Sequence, residues 1–268
     1  MQTKFHKDMH YRLVENDAAN DLIVYLHGLG DSGLCFERLM KSPKLTEWNH
    51  VALDFIGYGK SLWSNHEVSL AEHANLVKKW ILDFKKEGQR VFLVGHSMGG
   101  VIGLLLAEAR SELFSGFVNI EGNLSIEDCL YSSKATIYAK KEFVERGFEQ
   151  LKASLFEMSF SDSATRQYYV NLSLCNPAAF YDNAEELVEL STREQLAPKM
   201  AALKLPKLFI AAKPNGICDR SRMLLTASGV KTASVAKSGH WPFLDNEALF
   251  LTIFKKFLLS QNTLTENI

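Results

Sequence analysis

One ten-residue segment constrains this chain more than any other. Val91-Phe-Leu-Val-Gly95-His96-Ser97-Met98-Gly99-Gly100 sets a Gly-x-Ser-x-Gly pattern between an unbroken apolar run and a helical stretch, Met98 to Ala109. A short apolar run ended by glycine reads as a buried parallel strand. A serine lifted above the end of such a strand needs a tight, strained turn, so the residues two before and two after it must have almost no side chain. Gly95 and Gly99 meet that demand. Small residues also suit a plain strand–helix junction, so the remaining sequence has to decide between the two. A phosphate loop fits worse, because the lysine of that motif is missing and Ser97 stands where a backbone cradle belongs.

The surrounding pattern is an alternation of strand and helix. Leu22 to Leu26, Val51 to Phe55 and Gly116 to Ile120 read as further buried strands, and Leu70, Ala74, Val77, Ile81 and Phe84 line one face of a crossover helix. Such alternation builds a parallel sheet covered by helices on both faces, an α/β fold. After Glu121 the alternation stops. From Gly122 to about Met200 the sequence is helical, charged and studded with Tyr131, Tyr138, Phe143, Phe148, Phe156, Phe160, Tyr168 and Tyr169. This is expected to be an inserted helical cap, residues 122–200, on a core made of residues 1–121 and 201–268. Strand character returns at Pro206 to Ala212 and at Thr232 to Ala236, and a helix from about Asn246 to Leu259 closes the chain, with Asp245 placed to cap it.

Composition narrows the function classes. The chain has 268 residues, 47% of them apolar and 23% charged, which suits one packed domain carrying an insertion. Thirty basic residues against thirty-one acidic ones, with no long run of one sign, argue against nucleic acid or an anionic membrane as partner and favour a neutral or modest-sized small-molecule substrate, an apolar ester being the expectation. Cys35, Cys129, Cys175 and Cys218 are too scattered for a disulfide framework or a metal site, and no cofactor is implied. Met1 to Glu15 lacks the apolar core of a secretion signal, and Val101 to Ala107 falls far short of the ~20 residues of a membrane span. A cytoplasmic protein is expected; oligomeric state is not legible.

Two further segments give the serine its partners. His27-Gly28-Leu29-Gly30 follows the first strong strand, where a backbone donor for a developing oxyanion is needed; Leu29 N–H is the candidate, with Met98 N–H at the start of the helix as the second. His27 is expected to shape this loop. Ser238-Gly239-His240-Trp241-Pro242 lies between the last strand and the last helix, and His240 alone among the eight histidines has a glycine before it and this place in the chain. An imidazole there can take the proton of Ser97 and return it to a leaving group.

Taken with Asp54-Phe-Ile-Gly57-Tyr-Gly59-Lys-Ser61, these segments in this order resemble the α/β-hydrolase superfamily, in its single-cap esterase and dehalogenase-like branch. The resemblance covers nearly the whole chain. It implies a catalytic triad whose nucleophile is Ser97 and whose base is His240, with Asp54 as a residue that fixes a loop. Ile56 replaces a proline frequent in relatives, without consequence for the chemistry.

The third triad member departs from the usual pattern. Relatives mostly carry the acid after the strand matching Leu208 to Ala212, where this chain has Asn215, which supplies no charge. Two carboxylates can substitute: Glu121, at the end of the preceding strand, where dehalogenase-like members place theirs, and Asp219 on the loop beyond Asn215. Glu121 is preferred and Asp219 is the alternative acid. The reaction implied is ester or related acyl hydrolysis through an acyl-enzyme. C–C bond hydrolysis, acyl transfer to another acceptor, and a ligand receptor that kept a vestigial triad all remain open at this stage.

Overall fold

Parallel strands bring their C-terminal ends to one edge of a sheet, and that edge organises this molecule. The structure, a computed structural model, describes residues 1–261. Its strands are β1 (Gln2–His6), β2 (Met9–Val14), β3 (Leu22–Leu26), β4 (Asn49–Leu53), β5 (Val91–His96), β6 (Gly116–Ile120), β7 (Lys207–Pro214) and β8 (Thr232–Ser238). They form one eight-stranded sheet in the order β1-β2-β4-β3-β5-β6-β7-β8. The two pairings at the β1 edge are antiparallel and the rest are parallel.

Every residue of β3, β4, β5 and β6 is buried, which is why these strands are mostly unbroken apolar runs instead of alternating patterns. The Leu70–Phe84 and Met98–Ala109 helices pack against each other, and the Glu247–Ser260 helix lies by β8. Because β3, β4, β5, β6 and β8 run the same way, the segments that follow them, bearing His27, Asp54, Ser97, Glu121 and His240, emerge along one edge.

Between β6 and β7 the chain makes helices only, the longest being Phe148–Met158, Ser163–Leu172 and Pro177–Thr192. Two of them start on side-chain caps: Asp162 accepts from the Ala164 and Thr165 amides, and Asn176 accepts from Ala178 N–H ahead of Pro177 in the first turn. Their shared interior is aromatic, with Phe143 stacked on Phe180 at 5.7 Å and Phe148 edge-on to Phe180 at 5.7 Å. This segment is tied to the loops at the strand ends: Tyr58 donates its hydroxyl to Asn183 Oδ1 at 2.8 Å, and Asn183 donates to Val68 O at 2.8 Å.

The structure adds one element and corrects one local reading. No strand is legible before Leu22, yet β1 and β2 form a hairpin. Most of β1 is exposed, so it lacks an apolar signature, and its turn uses Lys7 at φ 52° in place of a glycine. Asp245 does not cap the last helix. Asn246 does so, accepting from Leu249 N–H at 3.3 Å, while Asp245 accepts from Gly239 N–H at 2.7 Å and so folds the loop carrying His240.

Asp54 has the loop-fixing role expected of it. Its carboxylate accepts from Arg12 Nη1 at 2.6 Å, Gly33 N–H at 2.7 Å and Lys60 N–H at 3.0 Å, and faces His10 Nδ1 at 2.8 Å. Burial opposes its ionisation, but His10, Arg12 and the Lys60 amide outweigh burial and hold its pKa at about 2. All four cysteines are free. No helix among the described residues is long and apolar enough to cross a membrane.

Candidate active site

Ser97 joins β5 to the Met98–Ala109 helix at φ 51° and ψ −120°, a conformation that L-residues seldom adopt. Ser97 N–H is held by Ile120 O at 2.9 Å. The two glycines of the motif have a steric reason. A Cβ on Gly95 would stand 2.1 Å from Gly99 O, and one on Gly99 would stand 2.1 Å from Leu26 O. Any side chain at either position drives the helix start off β3 and β5.

Ser97 and His240 line the same small cavity at the strand ends, with Gly28, Leu29, Asp31 and His96 from the core and Asn123, Leu130, Tyr131 and Tyr168 from the helical segment. The loop bearing His240 is fixed from both sides. Asp245 holds the Gly239 amide, and His96 Nε2 donates to His240 O at 2.7 Å. Burial and the neighbouring His240 push His96 well below its ordinary pKa, so it is neutral. Its one proton therefore sits on Nε2, while Nδ1 lies buried without a partner. His96 thus ties the elbow to the backbone of His240, a connection that no feature of the sequence announces.

Glu121 follows β6 at φ 52° with its carboxylate fully buried. Oε1 accepts from Ala212 N–H at 2.7 Å. Oε2 has no hydrogen-bond partner and lies 3.7 Å from His240 Nδ1, beyond hydrogen-bond length and within ion-pair range. Asp219 is exposed in the first turn of the Asp219–Ala227 helix, which Cys218 caps, and it makes no ion pair with His240. Asn215 is also exposed, at the end of β7.

Met98 is the first residue of its helix, so its N–H has no acceptor within the helix. Leu29 is on the cavity wall, on the loop after β3. His27 sits beneath that loop: its Nε2 accepts from Phe55 N–H at 3.0 Å and its Nδ1 donates to Gly28 O at 2.8 Å. Burial lowers its pKa to about 4, despite the opposing effect of Asp54, so it is a neutral brace between two loops.

A family model described as serine aminopeptidase, S33, matches residues 17–238. The chain belongs to this family. It is an S33 α/β hydrolase, with the mostly parallel eight-stranded sheet of that fold. Rat (Rattus norvegicus) monoglyceride lipase is 27% identical over 207 residues, covering 74% of this chain and 66% of the rat enzyme, just under two thirds of that relative's length. An esterase from Thermogutta terrifontis superposes with a TM-score of 0.77 at 12% identity, covering 94% of each chain. The enol-lactonase from Burkholderia xenovorans LB400 does so with a TM-score of 0.76 at 16% identity, covering 94% of this chain and 96% of its own.

The cavity of this S33 hydrolase holds two further carboxylates that sequence reasoning did not single out, Asp31 and Asp128. Both are engaged by protein donors. Asp31 receives Ser32 N–H, Asn171 Nδ2 and Trp241 Nε1, at 2.9, 2.6 and 3.3 Å. Asp128 receives Leu124 N–H, Cys218 N–H and the Ser221 hydroxyl, at 3.0, 2.9 and 2.5 Å. The position of Asp31 directly after Gly30 was the available signal; its partners lie 140 and 210 residues away in sequence. Among the described residues no cluster of His, Cys, Asp or Glu is arranged to hold a metal ion.

Proposed function

We propose that this chain hydrolyses a carboxylic ester through an acyl-enzyme on Ser97. The observation that carries the reading is a serine at a strained elbow that shares its cavity with His240, whose Nδ1 faces the buried Glu121 carboxylate at 3.7 Å. With Nδ1 turned to Glu121, Nε2 of His240 is the nitrogen left for Ser97. Ser97 Oγ attacks the carbonyl carbon as its proton passes to Nε2, and the carbonyl electrons move to oxygen. The Leu29 and Met98 amides receive that oxyanion. Collapse breaks the C–O bond to the alcohol, which takes the proton from His240. Water then repeats the sequence on the acyl group, with His240 as base, and releases the acid and free Ser97.

Glu121 is the acid in this scheme, and residues 122–200 form the cap that lines the acyl or alcohol pocket. Rat monoglyceride lipase, among the relatives, supports an ester as the bond cleaved. An aminopeptidase reaction is less well served, although the family bears that name. Recognition of a free amino terminus calls for a carboxylate with open acceptor capacity, and Asp31 and Asp128 are both engaged by protein donors. The cavity, about 20 Å³, has room for about one water.

The test is a panel of p-nitrophenyl esters of increasing chain length, with thioester and aminoacyl-anilide counterparts, run beside labelling by a fluorophosphonate probe. The expected outcome is labelling at Ser97 and ester turnover that Ser97→Ala abolishes. An unlabelled serine, or turnover that survives Ser97→Ala, refutes the reading. Labelling without repeated turnover points to a ligand receptor instead.

A further inference from the structure

The loop proposed to hold the oxyanion is not fixed by the core alone. Its carbonyl at Leu29 accepts the Tyr168 hydroxyl at 3.0 Å. One helical turn along, Asn171 donates to Asp31 Oδ1 at 2.6 Å and accepts from the Ser32 hydroxyl at 3.0 Å. Three hydrogen bonds thus join one helix, Ser163–Leu172, to Leu29, Asp31 and Ser32 of one loop. The fit is tight as well as polar. Gly30 sits at φ 73°, and a Cβ there would stand 2.7 Å from both the Tyr168 hydroxyl and Leu172 Cδ1. Tyr168 and Asn171 are both buried, and burial keeps the Tyr168 phenol protonated as a donor, far above its usual range.

The same loop reaches the base. Asp31 Oδ2 accepts Trp241 Nε1 at 3.3 Å, and the Trp241 ring packs edge-on to the His240 ring at 5.1 Å and against Tyr168 at 5.0 Å. One buried carboxylate therefore joins the oxyanion loop, the helical segment and the histidine loop.

We propose that the Ser163–Leu172 helix is a positioning element for acyl transfer: Tyr168 and Asn171 hold the Leu29–Ser32 backbone in the conformation that presents Leu29 N–H, and Asp31 passes that constraint through Trp241 to His240. This rests on the acyl-enzyme reading above. None of these side chains needs to touch the reacting atoms. Their effect is on where an amide and an imidazole stand, and misplacement by a fraction of an ångström at such donors is felt in the transition state more than in the bound substrate.

Tyr168→Phe keeps the ring and removes the bond to Leu29 O. Loss of a whole oxyanion donor lowers kcat by about 10²–10³-fold, so a loosened one is expected to cost about tenfold, with KM held within about twofold. Affinity for a trifluoromethyl ketone, which places a tetrahedral oxyanion on Ser97, should fall by the same factor, while affinity for the product acid stays level. An unchanged kcat, or equal losses for ketone and product, overturns the proposal. Asp31→Asn tests the relay without depending on that variant: its amide keeps an oxygen for the Ser32 and Asn171 donors but turns N–H toward Trp241 Nε1–H. Its kcat loss should vanish in a Trp241→Phe background, and additive losses overturn the relay. A wild-type protein that neither labels at Ser97 nor turns over esters refutes the underlying reading, and the proposal with it. An active wild type whose Tyr168→Phe variant is equally active refutes the proposal alone.

Discussion

Replacing Glu121 by glutamine separates a catalytic carboxylate from a structural one. The change is nearly isosteric, and the amide oxygen can keep the bond from Ala212 N–H that Oε1 accepts at 2.7 Å. What is lost is the charge on Oε2, 3.7 Å from His240 Nδ1. At an effective dielectric constant of about 20, a unit charge at that distance stabilises the imidazolium by about 4 kcal/mol, which corresponds to roughly 10³-fold in rate. The amide nitrogen adds to the loss by presenting a donor to Nδ1–H, which favours the tautomer that cannot accept from Ser97. The fold should not suffer, because Oε2 is buried without a hydrogen-bond partner, so no hydrogen bond of the folded state is lost with the charge. The expected outcome is therefore a kcat for p-nitrophenyl butyrate lower by about 10³-fold, with a thermal midpoint no lower than wild type. A kcat within threefold of wild type refutes the assignment, and a comparable loss in Asp219→Asn transfers it to Asp219.

Ser97→Gly removes the nucleophile and also the strain of a non-glycine residue at φ 51°, ψ −120°; an inactive protein more stable by about 1 kcal/mol is expected in urea unfolding. Gly99→Ala must move a Cβ placed 2.1 Å from Leu26 O, so a loss of about 1–3 kcal/mol together with a drop in kcat is expected, read by chemical denaturation and ester assay. Asp54→Asn removes one of the two carboxylates paired with buried Arg12, leaving Glu37 at 3.4 Å, and should cost about 1.5–3 kcal/mol at pH 7. Because the pKa of Asp54 is lowered to about 2, its contribution is present above pH 4 and lost as pH falls through 2. Asp31 has the opposite sign. Burial outweighs its donors and raises it to about 7, so the folded state holds its proton more tightly than the unfolded state does, and stability falls between pH 4 and 7 by about 4 kcal/mol on its account. Unfolding free energies of Asp31→Asn across that range should lack this decline, and a parallel decline in variant and wild type contradicts the shift.

The parts of this molecule legible in its sequence are those whose chemistry is local. β3, β5 and β6 could be read because strands buried on both faces must be apolar at almost every position, and Gly95 and Gly99 could be read because the elbow forbids a Cβ at both. β1 was silent, since an exposed edge strand is free to carry polar residues at nearly every position. Asp245 was misread for a related reason: at a helix start it looks like a cap, and only the folded loop shows Gly239 N–H as its partner. The contacts of Asp31 with Asn171 and Trp241 join three segments far apart in the chain, so no spacing rule points to them. Asn215, by contrast, shows in the sequence alone that the position where relatives mostly hold the acid carries no charge here, and Glu121 is the carboxylate the structure brings to within 3.7 Å of His240.

The most direct measurement is a pre-steady-state experiment with p-nitrophenyl acetate, quenched in acid and followed by peptide mass mapping. A burst of one equivalent of nitrophenol, with the acetyl group on Ser97 and both lost in His240→Ala, is the outcome predicted. Acetylation at another residue, or a burst of full rate without the imidazole, contradicts the pairing of Ser97 with His240.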